Sequence, residues 1–184
     1  MGDKKAMVLV ADGTEEMEAV IVIDVLRRAG VNVTVAGVEG DKPITCSRQV
    51  KIVPDADIAT ALQSGPYDAI VLPGGMQGAK TFAKASVVKD ILSEQNQAQR
   101  IVGAICAAPI ALKAHGLCLG KSLTSYPAVK PELEGYNYSE AKVVKDGNLI
   151  TSQGPGTAFD FALALVEALF DKEKRDEVAK PMLI

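Results

Sequence analysis

One cysteine stands where the sequence would place a nucleophile. Cys106 ends an apolar run in the segment GAICAAP, which predicts a buried strand turning directly into a helix. Ala107 and Ala108 are small and Pro109 suits the first helical turn, as in a nucleophile elbow. A helix N-terminus favours the thiolate, so we expect a lowered pKa for this thiol. The alternative is a small buried core residue, which is what most free cysteines are.

The histidine of the chain is badly placed to act as the base for this cysteine. His115 is the only histidine, and it follows Cys106 by nine residues in the same predicted helix. At about 1.5 Å per residue the two residues are roughly 13 Å apart, at opposite ends of the helix. A cysteine protease, which needs imidazole as base and acid, is therefore disfavoured.

Acidic residues at the start of the first predicted helix are the next candidates for a base. Glu15 and Glu16 suit the first turn, where acids complement the helix dipole. Glu18 differs because it lies on an apolar stripe of the same helix. The stripe consists of Glu18, Val22, Val25 and Ala29. Such a glutamate tends toward a raised pKa and can stay protonated beside a thiolate. The alternative is that Glu18 only occupies the first turn.

A double glycine follows another predicted strand at the same edge of the sheet. It is Gly74-Gly75 in the segment PGGMQG, which lacks the first glycine of the dinucleotide-binding pattern GxGxxG. The backbone N–H groups of this turn can form an oxyanion hole together with that of Ala107. The alternative is that a double glycine at a strand end is only a turn.

These residues belong to a chain of alternating strands and helices. Strands are predicted at residues 6–11, 31–38, 44–46, 50–53, 67–72, 101–106, 122–126 and 141–152, the last as a hairpin turning at Asp146-Gly147. Helices are predicted at residues 15–29, 86–99 and 108–115, followed by a last helix. This alternation predicts a doubly wound α/β sandwich, in which function sits beyond the carboxyl ends of the strands.

The last helix is predicted from its cap and its apolar spacing. Thr157 is the expected N-cap of this helix, and the charged residues 171–177 are expected to form its solvent-exposed C-terminal end. Helical spacing is kept by Phe159, Leu163, Val166 and Phe170.

Length and composition exclude several classes of protein. The 184 residues predict one domain, 1–184, with a core large enough to need no structural metal. A net charge of −3 and 4% aromatic residues without tryptophan give no basis for nucleic-acid binding. The N-terminal apolar run is too short for a signal peptide or membrane span. Cys46, Cys106 and Cys118 lack zinc spacing and are expected to be reduced, as in the cytosol.

Seven segments resemble one protein family in order and spacing. They are EEMEAVIVIDVLRRAG, VTVAG, CSR, VLPGG, GAICAAP, LTSYP and SQGPGTAFDFAL, and they span essentially the whole chain. By these segments the chain is similar to members of the ThiJ/PfpI superfamily, and the combination of VLPGG with AICAAP is highly specific. The resemblance implies a flavodoxin-like homodimer, with a mostly parallel sheet and helices on both faces.

The resemblance also implies roles for particular residues. It places an oxidation-sensitive nucleophile at Cys106, its carboxyl partner at Glu18 and oxyanion donors at Gly75 and Ala107. Cys46 is a second candidate for oxidation. Residues that match the family's site or dimer contact are Glu15, Arg28, Arg48 and Pro155.

The activity that the resemblance implies is that of a cofactor-free glyoxalase and deglycase. The expected substrates are methylglyoxal, glyoxal and their adducts on proteins and nucleotides, and methylglyoxal would give lactate. The expected location is the cytoplasm, extending to the nucleus and mitochondrion. The alternative from another class is a redox-sensing, chaperone-like homodimer with little turnover, because an exposed thiol of low pKa also suits a sensor.

Two departures from the family's pattern bear on the mechanism. Tyr126 stands where many members have histidine, and Gln153 stands where members often have arginine. Tyrosine is a poor base near neutral pH but can donate a hydrogen bond. We therefore expect Glu18 to carry the proton transfer.

The first predicted helix offers modest support for the homodimer. Its apolar residues surround much of the helix and are Met17, Val20, Ile21, Ile23 and Val25. This is more apolar surface than packing on one sheet face requires. The alternative is that the helix is buried beneath the C-terminal helix.

Overall fold

The elements of the computed structural model, which describes residues 4–184, follow the predicted alternation. The strands are β1 Lys5–Val10, β2 Asn32–Gly37, β3 Ile44–Thr45, β4 Lys51–Ile52, β5 Ala56–Asp57, β6 Ala69–Leu72, β7 Ile101–Ile105, β8 Ser122–Leu123, β9 Asn137–Tyr138, β10 Val143–Asp146 and β11 Leu149–Ser152. The α-helices are α1 Glu16–Arg28, α2 Ile58–Leu62, α3 Met76–Lys84, α4 Ser86–Gln97, α5 Pro109–Ala114, α6 Ala158–Leu169 and α7 Lys172–Ala179.

Seven strands form the central sheet, in the order β10-β11-β7-β6-β1-β2-β5. All neighbouring strands are parallel except β10 and β11, which form the antiparallel hairpin predicted around Gly147. The central strands are continuous apolar runs because helices cover both faces of the sheet. The predicted fold class, a flavodoxin-like and mostly parallel sheet, is confirmed.

Two apolar layers fill the space between the sheet and its helices. On one face, α1, α6 and α7 pack on the sheet, with Phe161 fully buried. On the other face the layer includes α2, α3, α4 and α5, with Phe82 fully buried. These layers fix the strand ends from which the loops project.

Two helices lie where none was predicted. Helix α2 has only five residues, and α3 begins directly after Gly75. The sequence of α3, MQGAKTFAK, is short and includes a glycine, which lowers its helix propensity. Ala79 and Phe82 nevertheless bury one face of α3 against the core.

The predicted last helix is two helices in the structure. Asp171 is extended and its side chain accepts a hydrogen bond from the Lys174 N–H at 2.8 Å, so a new helix, α7, begins there. Thr157 occupies the N-cap position of α6, but its hydroxyl accepts from the N–H groups of Gln153 and Gly154 instead. The buried face also differs, since Phe159 is 43% exposed. The buried residues of α6 are Ala158, Phe161, Ala162, Leu165, Val166 and Leu169.

The middle of the sheet positions the candidate site. Strands β1, β6 and β7 are parallel neighbours, so the loops that follow them meet at one edge. The segment predicted as strand 122–126 is strand only in β8, and its remainder leads Tyr126 to the same edge. Over residues 4–184, no helix combines the length and the apolar character needed to cross a bilayer.

Candidate active site

Cys106 occupies a strained turn between β7 and α5. Its φ of +63° is in the left-handed region, which is uncommon for a residue with a side chain. The turn is held because the Cys106 N–H donates to the Ser152 carbonyl at 3.0 Å and its carbonyl accepts from the Tyr126 N–H at 2.8 Å. The nucleophile-elbow geometry predicted from GAICAAP is present, and it aims the side chain out of the sheet.

Glu18 lies beneath the cysteine, in the first turn of α1. It is fully buried, as its apolar stripe predicts, and its Oε2 accepts from the Gly74 N–H at 2.7 Å. Burial is the main cause that raises the pKa of this carboxyl to about 7, and the charge of Glu15 adds to it. The hydrogen bond from the Gly74 N–H and the neighbouring Cys106 thiol act in the opposite direction. Glu18 is therefore a carboxyl group that can gain or lose a proton near neutral pH.

The double glycine is required by the close approach of three loops. A Cβ atom on Gly74 would lie 2.5 Å from Cys106 Cβ and 2.6 Å from Glu18 Oε2. Gly75 has a φ of +86°, and a Cβ there would lie 2.1 Å from the Gly13 carbonyl oxygen. The two glycines let the carboxyl, the thiol and the backbone N–H groups occupy one small volume.

Two backbone N–H groups, those of Gly75 and Ala107, interact with the Cys106 sulfur and lower the pKa of its thiol. They favour the thiolate, but burial and then the negative charge of Glu18 outweigh them and raise the pKa of the Cys106 thiol to about 12. The expectation of a lowered pKa is therefore wrong while Glu18 is ionised, because desolvation exceeds the effect of the short helix α5. The Cys106 thiol ionises more readily when Glu18 is protonated, because the negative charge that repels the thiolate is then absent.

A pocket of about 540 Å³ opens above these groups. Its lining residues are Gly13, Glu15, Ser47, Arg48, Gly75, Met76, Gln77, Cys106, Ala107, Tyr126 and Pro155. Predicted site residues are thus brought together from six separate segments, with Glu18 and Gly74 immediately below. Tyr126 is 47% exposed and forms part of the wall.

Four lining residues were not predicted. Met76 and Gln77 follow the double glycine directly, and Ser47 adjoins Arg48, so their positions in sequence were the available signal. For Gly13 the only signal in the sequence was its position just after β1. Glu16, expected only to complement the helix dipole, is buried and accepts from the Ser47 hydroxyl and the Arg48 N–H, both at 2.8 Å.

Arg28 and Cys46 do not belong to the pocket. Arg28 lies in the last turn of α1, where its Nε donates to Asp24 Oδ2 at 2.7 Å, because thirteen helical residues carry it away from the strand ends. It does not line the pocket of this chain, and its assignment to the site or the dimer contact stays a prediction. Burial, followed by the charges of Glu16 and Glu15, raises the pKa of the Cys46 thiol to about 11, which disfavours its oxidation.

The side chains of His115 and Gln153, which the sequence analysis considered for the chemistry, form hydrogen bonds with groups other than Cys106. His115 Nε2 contacts the Phe82 carbonyl at 2.8 Å, at the far end of α5 from Cys106. Gln153 Nε2 donates to the Glu140 carbonyl at 2.9 Å. Within residues 4–184, no group of three or more His, Cys, Asp or Glu side chains could hold a metal ion.

Known proteins are similar to this chain over nearly its whole length. Residues 4–168 match the model of the DJ-1/PfpI family. The Parkinson disease protein 7 homolog of Danio rerio is 47% identical, covering 100% of this chain and 99% of that protein. Glutathione-independent glyoxalase DJR-1.2 of Caenorhabditis elegans is 36% identical, covering 98% and 97%.

A solved structure is similar throughout. The crystal structure of Drosophila melanogaster DJ-1beta has a TM-score of 0.96 and 51% sequence identity, covering 99% of this chain and 98% of that one. Sequence and structure therefore agree over nearly the whole length, and the chain belongs to the DJ-1/PfpI family.

Proposed function

We propose that the protein is a cofactor-free, glutathione-independent glyoxalase that uses Cys106 as nucleophile and Glu18 as proton shuttle. The observation that carries the proposal is the buried Glu18 carboxyl, whose pKa is raised to about 7, directly beside the Cys106 thiol. A carboxyl with that pKa can both accept and return a proton at neutral pH. The C. elegans relative, named a glutathione-independent glyoxalase, supports the same reaction class.

The reaction begins when the Cys106 sulfur adds to the aldehyde carbon of methylglyoxal. As the C–S bond forms, ionised Glu18 accepts the proton of the thiol. The carbonyl oxygen takes the electron pair and then receives that proton from Glu18. The N–H groups of Gly75 and Ala107, which act on the sulfur in the free protein, stabilise the developing oxyanion. The product of this step is a neutral hemithioacetal beside an ionised carboxylate.

Glu18 then transfers a proton between the two carbon atoms. It removes the proton from the former aldehyde carbon, which gives an enediolate, and returns it to the neighbouring carbon. The hydroxyl proton meanwhile passes from the first oxygen to the second. A lactoyl thioester on Cys106 results, and water hydrolyses it to lactate and the free thiol. The balance is methylglyoxal plus water giving lactic acid, so neither an oxidant nor a reductant is consumed.

The same chemistry applies to early adducts of methylglyoxal or glyoxal on proteins and nucleotides. The pocket is open to solvent, and its wall includes the half-exposed Tyr126 beside Pro155. A glycated side chain can therefore present its adduct to Cys106 while the rest of the substrate stays outside. We propose deglycase activity on this basis.

The experiment that tests the proposal is lactate formation from methylglyoxal without added thiol. The wild-type protein should form lactate, Cys106→Ser should not, and the matched variant Cys118→Ser should retain the activity. Equal rates for Cys106→Ser and the wild type would show that the thiol is not the nucleophile. A glycated peptide, with free aldehyde trapped during the assay, separates deglycase activity from removal of the free aldehyde.

We also propose that the protein acts as a homodimer. Met17 and Val20 on α1 are 53% and 50% exposed, and Val50 and Val53 around β4 are 48% and 65% exposed. Both elements pack on the same buried cluster, through Ile23 and Ile52, so these exposed residues belong to neighbouring elements. A second copy would remove this apolar surface from water.

The alternative of a redox-sensing, chaperone-like homodimer makes a different prediction. A fast sensor needs a thiolate in the resting protein, whereas burial and Glu18 raise the pKa of the Cys106 thiol. Peroxide titration followed by intact mass distinguishes the two functions. A clean gain of two oxygen atoms without lactate turnover would favour the sensor.

A further inference from the structure

One wall of the pocket is a small hairpin outside the central sheet. Strands β3 and β4 pair only with each other, and the turn between them, residues 46–49, places Ser47 and Arg48 on the pocket. Two-residue strands make few ladder hydrogen bonds, so the hairpin cannot hold this position by itself. The hairpin must therefore be held by its contacts with residues 12–16, which lead into the first turn of α1.

Glu16 is the buried side chain that ties the turn of this hairpin to α1. It is 7% exposed, and its two oxygens accept from the Ser47 hydroxyl and from the Arg48 N–H, each at 2.8 Å. Burial acts to raise its pKa, but hydrogen bonds from its own backbone, Ser47, Arg48 and Val50 lower it below the usual value. Glu16 is thus an ionised acceptor directed at the hairpin turn.

The remaining hydrogen bonds hold other parts of the hairpin. The Gly13 N–H donates to the Thr45 carbonyl and the Thr45 N–H donates to Asp12 Oδ1, both at 2.8 Å. The Ser47 N–H donates to the Thr14 carbonyl at 2.9 Å. These bonds anchor the base and one side of the turn, whereas the Arg48 N–H bonds to the Glu16 side chain.

We propose that Glu16 is a positioning residue for substrate binding in the glyoxalase reaction proposed above. It fixes Ser47 and Arg48 as the wall that faces the ketone oxygen of methylglyoxal, next to the carbon attacked by Cys106. Arg48 is the cationic side chain among the described residues that line the pocket, and it donates hydrogen bonds to carbonyl or carboxylate oxygens. Glu16 itself does not touch the reacting atoms. Its removal therefore weakens binding more than chemistry.

Two variants of Glu16 separate hydrogen-bond geometry from charge. In Glu16→Gln the side-chain oxygen can still accept from the Arg48 N–H, while the amide donates to the Ser47 oxygen. In Glu16→Met the length is kept but both bonds are lost. We expect Glu16→Met to raise KM for methylglyoxal about tenfold or more, with kcat within about threefold, and Glu16→Gln to remain close to the wild type in both.

The wall can also be observed without any turnover. Amide hydrogen exchange of Arg48 and tryptic cleavage after Arg48 both report opening of the hairpin turn. Both should be at least tenfold faster in Glu16→Met and near wild type in Glu16→Gln. The matched control is Asp68→Ala, which removes a carboxylate that accepts from Lys5 N–H and Lys4 Nζ at the opposite edge of the sheet. This control should leave both rates unchanged.

The possible outcomes decide between the two proposals. If Glu16→Met lowers kcat at constant KM, or leaves Arg48 exchange and cleavage unchanged, the positioning role is overturned. If the wild-type protein forms no lactate, the glyoxalase proposal fails while the exchange rates still decide whether Glu16 holds the wall. Should Glu16→Met not fold, Glu16→Asp replaces it. That variant keeps the charge but cannot reach both partners, so it should open the turn where Glu16→Gln does not.

Discussion

Replacing Glu18 by glutamine should make the protein more stable at alkaline pH while removing its activity. Burial raises the pKa of the Glu18 carboxyl from 4.5 to about 7 in the folded protein. Each unit corresponds to about 1.4 kcal/mol, so ionised Glu18 lowers the free energy of unfolding by about 3 kcal/mol. Glutamine has a similar shape and can accept the Gly74 N–H, but it does not ionise.

The sign of this effect follows from proton binding. Below pH 4.5 the carboxyl is protonated in both the folded and the unfolded chain, so it contributes no penalty. Between pH 4.5 and 7 the folded chain keeps the proton that the unfolded chain loses, and stability falls as the pH rises. Above pH 7 the loss is complete. The stability of Glu18→Gln relative to the wild type should therefore increase by about 3 kcal/mol between pH 4 and pH 8.

Urea unfolding of both proteins at several pH values measures this difference. The matched control is Glu140→Gln, because the Glu140 side chain is 84% exposed and should give a difference that is nearly independent of pH. If the stability difference between Glu18→Gln and the wild type were as independent of pH as that of the control, the argument that burial of ionised Glu18 destabilises the fold would be refuted.

Activity of the same variant tests the catalytic part of the reasoning. Glu18→Gln should form no lactate, since glutamine cannot accept the proton, yet iodoacetamide should still alkylate Cys106. Alkylation should even be faster near pH 8, because the negative charge that helps to raise the pKa of the thiol is gone. Retained turnover would mean that another group is the base.

Further predictions concern the neighbours of this pair. Tyr126→Phe should lower kcat/KM by no more than about tenfold to a hundredfold, and a near-total loss in a lactate assay would make the tyrosine the base. Gly74→Ala should abolish turnover and destabilise the fold by about 1–3 kcal/mol in urea unfolding, because its Cβ would lie 2.5 Å from Cys106 Cβ; wild-type behaviour would contradict this close approach. The wild-type kcat/KM should rise with pH through about 7 and then level off as Glu18 loses its proton, and an unchanged profile in Glu18→Gln would contradict the assignment. Met17→Asp should convert a sedimenting dimer into a 19.3 kDa monomer, whereas a wild-type monomer at micromolar concentration would remove the dimer proposal.

The fold was predictable because its central strands carry a strong local signal. Continuous apolar runs bounded by glycine, proline or aspartate define β1, β6 and β7, and the site must lie where their loops meet. The stripe of α1 likewise predicted that Glu18 is buried. Helix α3 was missed because burial of Ala79 and Phe82, rather than local propensity, stabilises it.

Contacts between distant segments explain what the sequence could not show. Glu16 looks like any acid of a first helical turn, and only the docking of the hairpin turn gives its oxygens their partners. The pKa of Cys106 was predicted with the wrong sign because a helix N-terminus is visible in sequence, whereas the extent of desolvation is not. The close approach of Gly74 to Cys106 is equally a property of three loops taken together.

Desolvation also explains how the site can work without a histidine. Burial makes a free thiolate on Cys106 unfavourable, but the same burial raises the pKa of Glu18 to about 7, close to the ordinary value of imidazole. Near neutral pH the thiol and the carboxyl can share one proton, and the Gly75 and Ala107 N–H groups stabilise the state in which the sulfur is charged. The carboxyl thus supplies the proton affinity that a histidine would otherwise provide. In the proposed reaction His115 can therefore remain at the far end of α5, and Tyr126 is required only to bind substrate.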